Sequence, residues 1–318
     1  MVDAVVERSS EEMRPCTSAK TFTQSVVTAG IRLLGRLPFR LRSELGWLVG
    51  YLAGLWPSRE RKIALLQLQC FLGAAHASRL VPKVFANVGR TLLESINLKP
   101  LVQRRESAIR CHNWPEIRAW FNDNRPIVAL TAHTGNWDLL AAYIIAEGIP
   151  LTTIGREARH PIAQSLLKNI RDRYGIETIW RSDRSGVKRL LECLRERRTI
   201  AALIDQDTRV DSVMVPFFGS PAKTPSSLIA MGHKANARFV TAFLFRTSSR
   251  TCEVFVEELP DSSDDKALLA EYNRRLEALI RRFPDQWVWF HKRWRTQTNG
   301  DTLPTRDYIH LLSSKSHS

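Results

Sequence analysis

The chain has 318 residues, of which 44% are hydrophobic, and it carries a formal net charge of +15 at pH 7. This length and apolar content suffice for a sizeable core, which excludes a disordered or fibrous protein, and the charge favours an acidic partner such as nucleic acid, an anionic membrane or a phosphorylated substrate. The five cysteines are widely spaced and include no CxxC pair, so neither a disulfide framework nor a cysteine-based zinc site is supported.

The first predicted elements are helices. Residues 1–21 carry acidic side chains and lack the apolar core of a secretory signal, so we interpret them as a mobile tail. Residues 22–100 show helical patterns throughout, and the helix boundaries are indicated by Pro38, Pro57, Gly73 and Pro100.

This helical region also has features of a membrane-associating element. Its longest uncharged run, from Leu45 to Ser58, is shorter than the roughly 18 to 20 residues that cross a bilayer. We therefore predict a segment that lies among lipid headgroups, with Trp47, Tyr51 and Trp56 at the interface. The flanking basic residues expected to face anionic lipid are Arg32, Arg36, Arg40, Arg42, Arg59, Arg61 and Lys62. The alternative is a helical hairpin packed on its own domain.

An α/β domain follows. Short apolar runs alternate with amphipathic stretches, and this alternation predicts a mixed, largely parallel sheet flanked by helices. The predicted strands are 126–132, 151–155, 177–180, 199–205, 212–219, 238–245 and 252–259, and the predicted helices are 136–148, 161–175, 186–197, 225–236 and 264–282. We assign residues 101–300 to this domain and residues 301–318 to a C-terminal tail.

The stretch LTAHTGNWDLL places His133 and Asp138 five residues apart where a predicted strand gives way to a predicted helix. Crevices at the carboxyl ends of strands hold the ligands of α/β sheets. Gly135 permits a tight turn, Asn136 suits a helix N-cap, and the helix dipole favours an ionised Asp138. We predict that Asp138 folds back to the imidazole and that His133 acts as a general base. By spacing alone, simple helix capping is the alternative.

The histidine has no nucleophile of its own nearby. The sequence contains no GxSxG elbow and no cysteine close to this turn, so the attacking group is expected to be a substrate hydroxyl or water. No second histidine or carboxylate motif accompanies His133 at ligand spacing, and we therefore expect no metal.

Other polar residues follow predicted strands and are candidates for substrate binding. Asp205 and Asp207 end one strand, and Lys223 lies in a predicted loop before a helix, where a cation and helix amides can meet phosphates. Arg156 and Arg181 each follow a strand, so they are expected at one edge of the sheet, where they can bind an anionic substrate. Taken singly, each arginine is equally compatible with an ordinary surface charge.

Together these blocks resemble the bacterial lipid A biosynthesis acyltransferases, the lauroyl and myristoyl transferases of the HxxxxD acyltransferase superfamily. Their order and spacing match over roughly residues 35–300. The matching blocks are HTGNWD at 133–138, RSDRSGVKRL with Arg181, Asp183 and Gly186, DQD at 205–207, SVMVPFFG at 212–219 and QWVWFHKRWRT at 286–296.

The resemblance implies a glycerol-phosphate-acyltransferase-like fold at the cytoplasmic face of the inner membrane. It implies transfer of a fatty acyl group from an acyl carrier protein or coenzyme A thioester to a hydroxyl of a phosphorylated glycolipid, with a lipid A precursor as the first expected acceptor. His133 is then the base and Asp138 its partner, while Arg156, Arg181 and Lys223 bind anionic groups. No cofactor or metal is expected, because a thiolate leaves readily once the oxyanion is stabilised.

Some features leave other functions open. His160 stands where many members of the family carry an asparagine before proline, and a mycobacterial branch with a similar HxGNWD block acylates phosphatidylinositol mannosides. The FPEGTRS block of glycerol-phosphate acyltransferases is absent, which argues against a lysophosphatidate acceptor. A hydrolase that uses water as acceptor is one alternative. A basic nucleic-acid-binding protein is another, although the sequence contains no known nucleic-acid module.

Overall fold

The structure is a computed structural model that describes residue 27 and residues 29–123, 125–158, 160–248 and 251–316. The predicted tail over residues 1–21 lies outside the described residues, as do the first residues of the predicted helical region.

The helical region precedes the sheet, as predicted. Proline and glycine mark its boundaries: Pro38 is the N-cap of the first long helix, and Gly73, with φ of 91°, separates the next two. Ser58 caps the second helix by accepting a hydrogen bond from the backbone N–H of Arg61. The elements, after a helical stretch at 29–36, are α1 (Phe39–Leu55), α2 (Arg59–Leu72), α3 (Ala74–Ser95), α4 (Lys99–Gln103) and α5 (Arg105–Ala108).

Within the described parts of the chain, none of the helices is sufficiently long and apolar to span a bilayer.

Helices α1 and α3 are in backbone contact along a stripe of glycines. A Cβ added at Gly46 would lie 2.6 Å from the carbonyl oxygen of Gly89, and one added at Gly50 would lie 2.2 Å from that of Phe85. Both distances are far below van der Waals contact, so only glycine permits this approach. The two helices therefore pack as one rigid pair.

The opposite side of α1 is apolar and exposed. Trp56 is 72% exposed, and its neighbours on this side are more than 48% exposed. We call this set the α1 apolar face; its members are Leu41, Leu48, Val49, Leu52, Leu55 and Trp56. Helix α1 therefore packs on its own domain with one side and exposes apolar side chains to solvent with the other.

Arg42 does not face outward as predicted. Its side chain is fully buried, and it donates hydrogen bonds to the carbonyls of Gly35, Leu37 and Asn97. The carbonyls at the end of the 29–36 helical stretch lack helical partners, and the guanidinium satisfies them.

The α/β domain contains a seven-stranded sheet in the order β1-β9-β8-β2-β5-β3-β4. Neighbouring strands are parallel except β8 and β9, which are antiparallel, so the predicted mixed and largely parallel sheet is confirmed. A separate antiparallel hairpin joins β6 to β7. The strands are β1 (Ile109–Arg110), β2 (Ile127–Thr131), β3 (Leu151–Gly155), β4 (Glu177–Trp180), β5 (Thr199–Leu203), β6 (Ser212–Phe217), β7 (Ser220–Pro225), β8 (Arg238–Arg246) and β9 (Cys252–Glu258).

Helices cover both faces of the sheet, which separates two apolar cores. One core contains residues of α6 and α7, and the other contains residues of α2, α3 and α9 to α12. The helices of this domain are α6 (Trp114–Trp120), α7 (Trp137–Ala146), α8 (Pro161–Arg173), α9 (Gly186–Arg195), α10 (Ser227–Lys234), α11 (Asp265–Arg282) and α12 (Thr305–Lys315).

Strand β7 and helix α12 were not predicted. The segment around Lys223 is a strand of the hairpin rather than a loop, and its sequence SPAKTP has the two prolines that normally indicate a turn. Helix α12 forms within the segment assigned to a tail, where Tyr308 is fully buried and donates a 2.7 Å hydrogen bond to Gln67.

Candidate active site

The candidate site lies where β2 and its neighbour β5 end. Parallel pairing sets Thr131 opposite Leu203, so His133 and Asp205 leave the sheet side by side. The imidazole Nδ1 lies 2.8 Å from one oxygen of the Asp205 carboxylate, and the backbone N–H of His133 donates to the other oxygen at 3.0 Å. An imidazole and a buried carboxylate are therefore in direct contact at the ligand-binding edge of the sheet.

Asp205 is completely buried, yet it is held as an anion. Trp287 Nε1 donates a third hydrogen bond to it at 2.9 Å. Burial disfavours the charged carboxylate, but the contacts with His133 outweigh this effect, and the pKa of Asp205 lies well below its ordinary value. An ionised carboxylate can only accept, so Nδ1 of His133 carries the proton, and Nε2 keeps the lone pair that a base needs.

The carboxylate that meets the imidazole is thus not the one predicted from the sequence. Asn136 caps α7 by accepting from the backbone N–H of Leu139 at 2.9 Å, and this cap turns Asp138 toward α8. There its carboxylate lies 3.6 Å from Nε of Arg171. Among the described residues, His133 is not within ion-pair distance of Asp138. Sequence proximity favoured Asp138, whereas strand order brings Asp205 beside the histidine.

Two further side chains line the imidazole. Gln206 Nε2 lies 3.2 Å from Nε2 of His133 and 3.2 Å from Nε2 of His291. The rings of His133 and His291 meet edge to face, with centroids 5.1 Å apart. Burial, together with the nearby His133, lowers the pKa of His291 to about 3, so this ring is neutral at physiological pH.

Arg156 and Arg181 follow β3 and β4 on the same edge of the sheet. They are close enough that Arg156, added to partial burial, lowers the pKa of Arg181. Strand order places β3 two strands and β4 three strands from β2, or about 10 and 14 Å at ~4.8 Å per strand. The two cations form a positive region on the same edge of the sheet as the histidine.

Asp207 and Lys223 are placed differently. The Asp207 carboxylate accepts from the backbone N–H of Thr296 at 2.9 Å and lies 3.9 Å from Nε of Arg295, so it anchors the C-terminal segment. The carbonyl of Lys223 accepts from the buried guanidinium of Arg293, which fixes β7 to the same segment.

A narrow apolar cavity lies beneath α7. It has a volume of about 70 Å³ and lies between the sheet and helices α6 to α8. Trp137 lines it and also contacts His133 edge to face, with ring centroids 5.1 Å apart, so one end of the cavity lies beside the imidazole. Its charged wall residues are Asp138 and Arg171, which pair with each other. The remaining walls are nearly all hydrocarbon.

His133, Asp205 and His291 could also hold a metal ion. Each offers one ligand atom, and these atoms lie within 4.8 Å of one another. A metal at this position would compete with the proton shared by Nδ1 and Asp205, so the same residues support either a base or a metal, and the expectation of no metal stays a prediction.

Comparison with known proteins gives the family. The model of the family described as bacterial lipid A biosynthesis acyltransferase matches residues 13–296. The chain belongs to this family. It is an acyltransferase, as the sequence blocks indicated, and the match covers both the helical region and the α/β domain.

Curated relatives of this acyltransferase are similar over most of their length. A lipid A biosynthesis acyltransferase of Haemophilus influenzae is 27% identical over 283 residues, which cover 85% of this chain and 87% of that protein. The lipid A biosynthesis myristoyltransferase of Escherichia coli K12 is 23% identical and covers 87% of each chain. A phosphatidylinositol mannoside acyltransferase of Mycolicibacterium smegmatis is 23% identical over 58% of this chain and 60% of its own.

Sequence reasoning assigned no role to Trp287, His291 or Gln206. All three lie within blocks that carried the family resemblance, which was the available signal. No spacing rule identifies them, since Trp287 and Asp205 are 82 residues apart and His291 and Gln206 are 85 apart.

Neutral, buried His291 makes the stability of this acyltransferase depend on pH. In the folded chain the pKa of His291 is about 3, below the ordinary 6.5. Between these two pH values the unfolded chain binds a proton at His291 and the folded chain does not. The free energy of unfolding therefore falls as the pH drops from about 6.5 toward 3. Between pH 6 and pH 4, the loss should approach ~1.4 kcal/mol per pH unit. Urea unfolding of His291→Gln should give a flatter slope over this range. The exposed His310→Gln is the control, and equal slopes in all three proteins would contradict the assignment.

Proposed function

We propose that this chain transfers a fatty acyl group from an acyl thioester to a hydroxyl of a phosphorylated glycolipid, with His133 as the general base and Asp205 as its partner. The observation that carries the proposal is the imidazole–carboxylate pair beside one end of a narrow apolar cavity. A base without a neighbouring nucleophile suits a substrate hydroxyl, and a hydrocarbon cavity suits an acyl chain.

In the proposed reaction, Nε2 of His133 takes the proton of the acceptor hydroxyl while its oxygen attacks the thioester carbonyl carbon. Asp205 stabilises the imidazolium through Nδ1. The tetrahedral oxyanion collapses, the C–S bond breaks, and the thiolate receives the proton from the imidazolium. The amide group of Gln206, whose Nε2 lies 3.2 Å from Nε2 of His133, is assigned as a donor to the developing oxyanion.

The two substrates are assigned to different parts of the site. The acyl chain occupies the cavity beneath α7, because each methylene buried there contributes ~0.8 kcal/mol. The acceptor phosphates bind Arg156 and Arg181, whose planar guanidinium groups suit bidentate contacts with oxyanions. A lipid A precursor is the preferred acceptor, since the relatives that match most of the chain are named for lipid A biosynthesis, and a phosphatidylinositol mannoside is the alternative.

The proposed acyl donor rests on the net charge of the chain, and the proposed location at the membrane rests on the exposed α1 apolar face. A formal net charge of +15 favours an acidic carrier protein as the thioester donor, with coenzyme A as the alternative. The α1 apolar face lies in the cytoplasmic leaflet of the inner membrane, and nearby Arg36 and Arg40 meet anionic headgroups. Peripheral binding of this kind gives the enzyme access to lipid hydroxyls.

His133→Ala should lower kcat for acyl transfer by about 10² to 10⁴, the usual contribution of a positioned base, without changing the fold. The exposed His112→Ala is the control. Transfer is measured by mass spectrometry of the lipid product, together with release of free fatty acid. If His133→Ala retains acyl transfer, the assignment of His133 as the base is wrong. If the unaltered protein releases free fatty acid at the same rate with and without the glycolipid, it is a hydrolase. Asp205→Asn should lose more activity than Asp138→Asn, because only Asp205 contacts the imidazole.

Filling the cavity should shorten the preferred acyl chain. Ala141 lines the cavity, so Ala141→Phe should reduce kcat/KM for a long-chain donor relative to one two carbons shorter by about tenfold, given ~0.8 kcal/mol per methylene. Competition between donors of different lengths measures this ratio. Ala230→Phe, an equal change on the exposed side of α10, should leave the ratio unaltered. An unaltered ratio in Ala141→Phe would place the acyl chain elsewhere.

Charges on the α1 apolar face should release the protein from membranes. Leu48 and Leu52 are 49% and 56% exposed, and Leu48→Glu with Leu52→Glu replaces apolar contacts by repulsion from anionic lipid. Flotation with phosphatidylglycerol vesicles should show at least a tenfold weaker partition, since each leucine contributes ~1.5 kcal/mol or more. The comparably exposed Val187→Glu on α9 is the control. Equal flotation of all variants would show that the α1 apolar face does not bind the membrane.

A further inference from the structure

The turn that carries His133 is held from outside its own domain. Thr91 on α3 donates a 2.6 Å hydrogen bond to the carbonyl of Gly135. Glu94, one helical turn later, accepts a 3.0 Å hydrogen bond from the side chain of Asn136. Helix α3 therefore contacts two of the three residues that join His133 to helix α7.

Glu94 is a fully buried carboxylate with partners on three separate elements. Besides Asn136, it accepts from Ser43 on α1 at 2.7 Å and pairs with Arg246 at the end of β8. Asn136 itself is fully buried, and its oxygen is already used to cap α7. The amide orientation of Asn136 is thus fixed from two sides, by the α7 backbone and by Glu94.

The turn has little freedom to adjust if these contacts are lost. Gly135 has φ of 50°, and a Cβ there would lie 2.3 Å from the carbonyl of Leu244. Its N–H donates to the carbonyl of Gln286 at 2.9 Å. Two sides of the turn are therefore bounded by backbone, and the third is bounded by Thr91 and Glu94.

We propose that Glu94 is a positioning residue for the reaction: together with Thr91 it holds the turn at residues 133–136, so that Nε2 of His133 faces the acceptor hydroxyl. The inference rests on the proposed function, in which His133 is the base. Since α1 and α3 pack as one rigid pair through their glycines, the same contacts tie the base to the helix assigned to the membrane.

The competing explanation is that Glu94 serves only as the counter-charge of buried Arg246. Glutamine separates the two roles. Glu94→Gln and Glu94→Ala both remove the charge, but glutamine keeps an oxygen that can accept from Asn136. Positioning predicts that glutamine rescues turnover, whereas a counter-charge role predicts that both variants fail alike.

The experiment compares full-length Glu94→Ala, Glu94→Gln and Thr91→Val with Glu44→Ala, which removes a 64%-exposed carboxylate of α1 that pairs with Arg90. Acyl transfer is measured per folded molecule, with the folded fraction taken from thermal unfolding. Glu94→Ala should lower kcat by about tenfold or more with KM changed less than about twofold, since its contacts act on the base and not on substrate binding. Thr91→Val should show the same pattern to a smaller extent, Glu94→Gln should recover most of kcat, and Glu44→Ala should match the unaltered protein.

Hydrogen exchange over residues 133–139 gives a readout that does not depend on activity. Exchange should accelerate in Glu94→Ala and Thr91→Val but not in Glu44→Ala. Unchanged exchange, or a kcat per folded molecule equal to that of the unaltered protein, overturns the inference. If Glu94→Ala does not fold, Thr91→Val and Glu94→Gln decide the question. If the unaltered protein transfers no acyl group, the proposed function fails, and exchange alone decides whether Glu94 holds the turn.

Discussion

The burial of the Asp205 carboxylate imposes the strictest requirement on this molecule. A charge removed from water costs several kcal/mol unless it is fully hydrogen-bonded, and here it receives three N–H groups, two from His133 and one from Trp287. These donors come from the end of β2 and from the segment after α11. The parallel pairing of β2 with β5 and the docking of the C-terminal segment must therefore both be complete before the charge is tolerated.

Around this carboxylate, the fold separates tasks that a lipid acyltransferase has to combine. The apolar cavity lies on one face of the sheet beneath α7, the two arginines lie along the sheet edge, and the exposed apolar residues lie on α1. Helix α3 contacts the turn between these regions through Thr91 and Glu94. In the proposed function, hydrocarbon, anionic groups and lipid surface thus meet different parts of one framework.

The sequence predicted the strands and helices from 126 to 282 well, because their apolar periodicity is local information. It located His133 at a strand end for the same reason. It predicted Asp138 as the partner of His133 and did not identify Asp205 in that role, since that choice depends on which strand lies beside β2, and strand order is not encoded in spacing. The buried role of Arg42, the hairpin strand containing Lys223 and the contact between His291 and Gln206 likewise depend on partners distant in the chain. Of the residues predicted to bind substrate, Arg156 and Arg181 are placed at the expected edge, whereas Asp207 anchors the C-terminal segment.

The strand order also constrains how the protein forms during synthesis. Strand β5 lies between β2 and β3, although both precede it in the chain. As the polypeptide emerges, β2 and β3 must remain apart, with open hydrogen-bonding edges, until β5 arrives to separate them. Unpaired edges are aggregation-prone, so this interval is a point of vulnerability at which a chaperone can act. The strand that ends this interval is also the one that delivers Asp205, and the chain therefore acquires its imidazole–carboxylate pair only when β5 has joined β2 to β3.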